Sequence, residues 1–141
     1  LAPTILPTTG KPSFELPEGE MEIGIGIHGE PGSRRGPLET ADEIAEHLTT
    51  ALVNDLGLEA GSRVAVLVNG LGATPLEELY LLYRATHRFL AARGIEIVKK
   101  YIGEYATSLE MAGASISLLE LNDERLELLN APARSPFFQE G

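Results

Sequence analysis

The sequence contains no cysteine and no tryptophan, and aromatic residues account for only 6% of its 141 positions. Without cysteine, neither a disulfide framework nor thiolate catalysis is possible. The chain also lacks an apolar run of the ~18–20 residues that a membrane-spanning helix needs, and its first residues lack the charged-then-apolar order of a signal peptide. We therefore expect a cytoplasmic protein with no membrane partner.

Positive charge is scarce as well. Lys and Arg total 11 against 21 Asp and Glu, which gives a formal net charge of −10. A chain this acidic is repelled by a phosphate backbone, so we expect no nucleic-acid partner. Hydrophobic residues make up 43% of the chain, which is enough to bury one core. Residues 1–141 are therefore predicted to form a single domain.

The two ends of the chain differ from its middle. Residues 1–19 are rich in Pro, Thr and Gly, begin with Leu1 rather than Met, and are interpreted as an extended lead-in that continues from something upstream. Residues 131–141 show no periodic pattern and are predicted to form an irregular tail. The sequence is therefore expected to be a fragment of a longer protein.

Alternating residue types mark the first long strand. Every second residue from Met21 to Ile27 is apolar, which predicts a strand over residues 21–28 with one apolar face. The breaker-rich GEPGSRRGP that follows is predicted to be a loop, and its Arg34 and Arg35 to be a solvated basic patch. The opposite face of the strand carries Glu22, Gly24, Gly26 and His28.

Two capping boxes predict the starts of two long helices. Thr40 and Glu43 form the first box, and Thr74 and Glu77 form the second, with Pro75 at the first helical position. Helical spacing also predicts which side chains of the second helix face the core. These side chains are Leu76, Leu79, Tyr80, Tyr83, His87, Leu90 and Ala91.

Three further apolar segments predict strands. Residues 63–68 form a continuous apolar run that is typical of a strand covered on both faces, and residues 95–102 and 115–121 follow later in the chain. Asn122 or Asp123 is predicted to cap a short C-terminal helix. The whole pattern predicts an α/β fold with a mixed, mostly parallel sheet of about six strands, two long helices and the short C-terminal helix.

Gly24, Gly26 and Gly29 form a literal G-x-G-x-x-G, the spacing of a dinucleotide-binding fingerprint. In that fingerprint the glycines occupy the turn after a strand and open directly into a helix. Here the first two glycines fall within the predicted strand, and the nearest helix cap, Thr40, lies well beyond the third. The pattern therefore does not favour a dinucleotide site.

NGLGAT, residues 69–74, does lie between a predicted strand and a helix. Backbone N–H groups in such a loop can hold an anion, but the lysine of a P-loop is missing. We favour a structural role, in which the loop turns the chain into the helix. The alternative is that this loop lines a ligand cleft at the end of its strand.

His28 is the remaining candidate for chemistry. Gly24 and Gly26 precede it on the same strand face, so bare backbone lies beside the imidazole and leaves room for a ligand or for another chain segment. From the residues alone, a buried structural histidine is the favoured reading, and a substrate-contacting histidine is the alternative. His47 is predicted to be exposed on the first helix and His87 to lie against the core, and no His, Asp or Glu spacing is typical of a metal site.

Three long motifs carry a resemblance to a known family. The chain resembles the C-terminal half of the substrate-binding subunit of dihydroxyacetone kinases in EGEMEIGIGIHGEPG, in VLVNGLGATPLEELY and in GEYATSLEMAGASISLLELNDERLELLNAPA. The resemblance implies that His28 adds to the ketone of dihydroxyacetone and holds it as a hemiaminal. It also implies that Gly24, Gly26 and Gly29 border the bound substrate.

The resemblance further implies what this chain does not carry. In the family, the general acid and base belong to the N-terminal half of the subunit, so the isolated chain is expected to be inactive. ATP, or phosphotransferase-system phosphate passed through ADP, is expected with Mg²⁺ on a helical partner domain or subunit, with no cofactor on this chain. A homodimer is expected. The alternatives are a non-catalytic, dihydroxyacetone-sensing regulator and a kinase for another short ketose.

Overall fold

The computed structural model describes residues 2–26 and 30–140. Within them the chain has a mixed α/β fold, which confirms the predicted class, and no described helix has the length and apolar character needed to cross a bilayer. The elements in chain order are β1 (Ile5–Leu6), β2 (Lys11–Pro12), β3 (Glu20–Ile23), β4 (Arg34–Pro37), α1 (Ala41–Leu56), β5 (Arg63–Gly70), α2 (Leu76–Ala92), β6 (Glu96–Gly103), β7 (Ala114–Glu120), α3 (Asp123–Leu129), β8 (Ala133–Arg134) and β9 (Gln139–Glu140).

The three longest strands form the central sheet. β5 lies in the middle, parallel to β6 and antiparallel to β7. Val64, Val66 and Val68 of β5 are completely buried, in agreement with the continuous apolar run that predicts a covered strand. Both long helices contribute side chains to the core around these valines.

This sheet is smaller than the predicted sheet of about six mostly parallel strands. Among residues 2–26 and 30–140 it has three strands, with one parallel and one antiparallel pairing. The shorter strands pair as separate antiparallel hairpins, β1 with β2, β3 with β4, and β8 with β9. Strands of two to four residues can form only a few ladder hydrogen bonds. Here each short strand forms them with the next short strand in the sequence, and not with a strand of the central sheet.

Helix α1 begins and ends through local interactions. Thr40 Oγ1 accepts the N–H of Glu43 at 3.3 Å, and the Glu43 carboxylate accepts the N–H of Thr40 at 2.8 Å, which confirms the first capping box. Gly57 ends the helix with φ of +64°, the left-handed conformation that glycine adopts without strain. The residues buried along α1 are Ala45, Thr49 and Val53.

The start of α2 differs from the prediction. Pro75, rather than Thr74, is the N-cap, and its ring offers no side-chain hydrogen bond to the helix. Leu76 is therefore the first helical residue, which places Glu77 at the second position instead of the third. A glutamate at the second position is out of the capping-box register, so the second predicted box is wrong.

The buried face of α2 is also rotated from the predicted one. Tyr80 is 53% exposed and His87 is exposed, so the predicted core placement of His87 is wrong. The reason is that α2 contacts both α1 and the strands β5 and β6, which moves its buried stripe away from these side chains. The buried residues of α2 are Leu79, Leu82, Ala85, Thr86 and Leu90.

The lead-in is attached to the segment before β7. The N–H of Ala2 donates to the carbonyl of Ala112 at 2.8 Å, and the N–H of Ile5 donates to Oε1 of Glu110 at 2.6 Å. These bonds, with the β1–β2 hairpin, give part of the predicted extended lead-in a defined fold.

The C-terminal residues pack against β6. Asn122 caps α3 as predicted, by accepting the N–H of Arg125 at 2.7 Å. The segment predicted to be an irregular tail contains the β8–β9 hairpin. The ring of Phe138 lies 5.9 Å from that of Tyr101, and Lys99 forms an ion pair of 2.7 Å with Glu140. Side-chain packing, which the sequence pattern does not display, orders this tail.

Candidate functional site

The hairpin of β3 and β4 carries the glycine-rich segment that contains His28. Its strands pair in direct register, with Glu22 opposite Arg35 and Ile23 opposite Arg34. The strand predicted over residues 21–28 ends at Ile23, because Gly24 has φ of +79° and leaves the extended conformation. The prediction that Arg34 and Arg35 belong to a loop is also wrong, since both lie in β4.

Backbone hydrogen bonds hold the two limbs of this loop together. The N–H of Ser33 donates to the carbonyl of Ile23 at 2.9 Å, next to the last residue pair of the two strands, Ile23 with Arg34. Further out, the N–H of Gly26 donates to the carbonyl of Glu30 at 3.0 Å. The two described limbs are therefore joined at residues 23 and 33 and again at residues 26 and 30.

The close approach of the limbs explains two of the glycines. A Cβ added at Gly24 would lie 2.7 Å from Oγ of Ser33, and one added at Gly26 would collide with the carboxylate of Glu30. Of the two occupants considered from the sequence, a ligand or another chain segment, the opposite limb of the loop fills the space beside these two glycines. His28 and Gly29 lie outside the described residues.

Glu22 occupies the base of the loop and is only 8% exposed. Its Oε2 accepts hydrogen bonds from Nη2 and, at 3.0 Å, from Nε of Arg35, and its Oε1 accepts the N–H of Gly32 at 2.8 Å. The bonds from Arg35 and then from Gly32 lower the pKa of Glu22 below its ordinary value, because both stabilise the carboxylate. The sequence pattern does not predict this cluster, because it does not show the pairing of β3 with β4 that places Glu22 opposite Arg35.

The second arginine of β4 belongs to a separate cluster. Arg34 forms an ion pair with Glu39 through Nη2, and its Nη1 lies 2.6 Å from Nε2 of His47. His47 is exposed on α1, as predicted. Both arginines are exposed, with 46% of each side chain accessible, as predicted for a solvated basic patch. Each also forms a specific contact, Arg35 with Glu22 and Arg34 with Glu39 and with His47 of α1.

The NGLGAT loop at the end of β5 is tied to residues 105–113. The buried side chain of Asn69 donates to the carbonyl of Ala106 at 2.8 Å and accepts the N–H of Tyr105 at 2.7 Å. The N–H groups of Leu71 and Ala73 donate to chain carbonyls, at 3.1 Å each. These bonds support the structural role, because backbone donors that an anion would need are already used by the chain.

Two grooves border these segments. A cleft of about 390 Å³ lies at the carboxyl ends of β5 and β6, between residues 72–76 and 102–104. A second groove of about 530 Å³ separates the β3–β4 hairpin from α1 and α2, and its walls are mostly apolar, with Met21, Ile44 and Leu82 among them. The first groove is the ligand cleft considered for the NGLGAT loop, and it stays an open alternative.

No three His, Asp or Glu side chains converge on a metal-binding position in the part of the chain that the structure describes. The carboxylate of Glu22 at the base of the loop is already bonded to Arg35 and to the N–H of Gly32. The described residues therefore do not fit a magnesium site.

Solved structures define the class of this fold. A structure described as the dihydroxyacetone kinase operon co-activator Dha-DhaQ superposes with a TM-score of 0.83 at 38% identity, covering 94% of this chain and 41% of that one. The class is that of the dihydroxyacetone kinase substrate-binding subunits and their relatives.

The sequence comparisons agree with this class. The Dak1 domain family matches residues 1–137, and the chain belongs to that family. The PTS-dependent dihydroxyacetone kinase 2, dihydroxyacetone-binding subunit DhaK, of Listeria innocua serovar 6a is 44% identical over 99% of this chain. The L-erythrulose kinase of Pectobacterium atrosepticum is 42% identical over 96% of it. The chain spans only 42% and 24% of these relatives, and the family resemblance seen in the motifs is confirmed.

Proposed function

We propose that residues 1–141 are the C-terminal half of a dihydroxyacetone kinase substrate-binding subunit and that His28 captures the ketone. The observation that carries this proposal is the family match over residues 1–137, together with 44% identity to a relative described as dihydroxyacetone-binding. Gly29 is proposed to border the bound substrate. Gly24 and Gly26 are proposed to let the opposite limb of the loop approach closely, since Ser33 and Glu30 fill the space beside them. The hydrogen bond from the N–H of Gly26 to the carbonyl of Glu30 supports the idea, because it restrains the described residues that precede and follow residues 27–29.

The proposed reaction is addition of an imidazole to a ketone. The lone pair of a neutral ring nitrogen of His28 forms a bond to the carbonyl carbon, and the π electrons of the C=O bond move to the oxygen. The proton of the other ring nitrogen is given up, and the oxygen takes a proton, so the product is a neutral hemiaminal. No group leaves, and the addition is therefore reversible.

Covalent capture gives selectivity without a large pocket. Glycerol resembles dihydroxyacetone in size but has no carbonyl, so it cannot form the bond to His28. The anchored ketose keeps its terminal hydroxyl free and oriented, ready for an in-line phosphoryl donor. The product of the complete enzyme is then dihydroxyacetone phosphate.

The rest of the machinery is proposed to lie outside this chain. A general acid and base on an N-terminal half would act on the substrate hydroxyl, so residues 1–141 alone are expected to be inactive as a kinase. A nucleotide-binding partner would hold ATP, or ADP charged by the phosphotransferase system, together with Mg²⁺. A cytoplasmic location is part of the same proposal, because these phosphoryl donors are cytoplasmic. A homodimer is proposed as well.

The test is ¹³C NMR of the full-length protein, labelled with ¹⁵N-histidine and mixed with [2-¹³C]dihydroxyacetone. We expect a tetrahedral-carbon signal coupled to ¹⁵N, which separates the hemiaminal from the free ketone hydrate. His28→Ala should abolish this signal, whereas His47→Ala, which removes an exposed histidine of α1, should keep it. A missing coupled signal in the unmutated protein, or its survival in His28→Ala, would refute ketone capture.

A regulatory role is the second candidate, and the similarity to the operon co-activator favours it. A sensor can capture the ketone without phosphorylating it. The full-length protein with its nucleotide-binding partner and a phosphoryl donor decides between the two, since the kinase releases dihydroxyacetone phosphate and the regulator does not.

A different short ketose is the third candidate, and the similarity to an L-erythrulose kinase favours it. Erythrulose also carries a ketone and can undergo the same addition. Comparing kcat/KM for dihydroxyacetone and for both erythrulose enantiomers identifies the substrate, because the bond to His28 is common to all three and the pocket walls must discriminate.

A further inference from the structure

Glu22 joins three parts of the hairpin through one buried carboxylate. It lies in β3, its Oε2 is bonded to Arg35 of β4, and its Oε1 accepts the N–H of Gly32 in the returning limb of the loop. Hydrogen bonds to a charged acceptor are stronger than those between neutral groups. The carboxylate therefore fixes the returning limb relative to both strands.

The contact between Glu22 and Gly32 requires a glycine at that position. A Cβ added to Gly32 would lie 2.6 Å from Cγ of Glu22 and 2.7 Å from the carbonyl oxygen of Ile23. The loop limb can therefore approach the carboxylate only because residue 32 has no side chain. Glu22 and Gly32 are complementary in shape as well as in hydrogen bonding.

The loop needs such a fixed point because it is rich in glycine. Gly24, Gly26, Gly29 and Gly32 lie within nine residues, and glycine loses more conformational freedom on ordering than any other residue. The backbone bonds at Ser33 and at Gly26 restrain the limbs, and the Glu22 carboxylate adds a charged anchor between them.

We propose that Glu22, held by Arg35, is a positioning residue for ketone capture, acting through Gly32 on the loop that carries His28. This inference rests on the proposed function of His28. Its physical basis is preorganisation, since a reacting group that is already held in place does not need to be ordered during the reaction. Glu22 contributes nothing to the bond-making step itself.

The test compares Glu22→Gln with Glu20→Gln in the full-length protein. Both variants remove one negative charge from β3, but the strand partner of Glu20 is Pro37 rather than an arginine beside the loop. We measure the capture rate constant for [2-¹³C]dihydroxyacetone by saturation-transfer NMR, and the hydrogen exchange of the Gly26 and Gly32 amides.

We expect Glu22→Gln to lower the capture rate constant about tenfold and to speed amide exchange at Gly26 and Gly32, with Glu20→Gln unchanged. The capture rate constant of Arg35→Lys should lie between those of Glu22→Gln and Glu20→Gln, because a lysine keeps the positive charge but cannot donate two hydrogen bonds to the carboxylate as Arg35 does. Val53→Ala, which destabilises the core on α1, measures the effect of lower stability alone and should leave the capture rate constant of folded protein unchanged.

Three results would overturn the inference. The first is an unchanged capture rate in Glu22→Gln despite faster exchange at Gly32. The second is an equal loss in Glu20→Gln or Val53→Ala, which would show a general charge or stability effect. The third is the absence of a ¹⁵N-coupled hemiaminal in the unmutated protein. That third result would refute the proposed function itself. It differs from the first two results because it is observed in the protein without any substitution.

Discussion

Gly72 and Gly57 show how differently two glycines depend on their surroundings. Both have positive φ, +125° and +64° respectively. A Cβ at Gly57 would meet no atom within 4 Å, whereas one at Gly72 would collide with the carbonyl of Leu109. Gly57 is therefore needed for its backbone conformation alone, while Gly72 is needed for conformation and for space.

We expect Gly72→Ala to lower the free energy of unfolding by about 3 kcal/mol or more, because strain and a backbone collision add. Gly57→Ala, the control, should cost only about 1 kcal/mol, the penalty of a left-handed alanine. Urea unfolding followed by circular dichroism measures both. Equal losses would mean that the segment around Leu109 moves away freely.

The two long helices show how capping depends on a shift of one residue. In the sequence, each helix is preceded by a threonine that is followed three residues later by a glutamate. Thr40 caps α1 with its side chain, but Thr74 lies before the N-cap Pro75 and makes no capping bond. The difference lies at Pro75, whose ψ of 155° is extended rather than helical, so α2 begins one residue later than the predicted box requires.

Thr40→Ala should therefore lower the free energy of unfolding by about 1 kcal/mol, since it removes a side-chain cap. Thr74→Ala should change it by less than about 0.5 kcal/mol, because no cap bond is lost. Thermal unfolding of the two variants is the measurement. A comparable loss in Thr74→Ala would indicate that α2 is capped in solution by the threonine after all.

At the scale of the whole molecule, the central sheet is covered differently on its two faces. The helices α1 and α2 pack around Val66 and Val68, while the neighbouring Leu67 and its strand partner Tyr101 line a groove with α3 and the tail. Phe138 contacts Tyr101 from the tail hairpin, but its neighbour Phe137 is 98% exposed. Of these two phenylalanines, only Phe138 packs the tail against the central sheet.

Phe138→Ala should release the β8–β9 hairpin and lower the free energy of unfolding by about 1–2 kcal/mol, because a half-buried ring loses its aromatic contacts. Phe137→Ala removes a ring of the same size that is in solvent, so it should have almost no effect. Hydrogen exchange of residues 133–140 measures the release. Equal protection in both variants would show that the Lys99–Glu140 ion pair holds the tail without the ring.

The sequence by itself determined the features that depend on neighbours in the chain. The α/β class, the first capping box, the buried strand β5 and the cap of α3 at Asn122 all follow from residue spacing over one or two turns or one strand. The family could also be recognised from three long motifs in the sequence, and the Dak1 match over residues 1–137 agrees with it.

Only the tertiary structure decided the features that depend on partners distant in the chain. The strand of the loop ends at Ile23 because Gly24 takes a positive φ where Ser33 of the opposite limb packs against it. Glu22 becomes a buried anchor because β4 brings Arg35 beside it. The buried face of α2 follows in the same way from simultaneous packing on α1 and the sheet. Periodicity shows that a face is apolar, but the direction in which a neighbour approaches is set by packing of the whole domain.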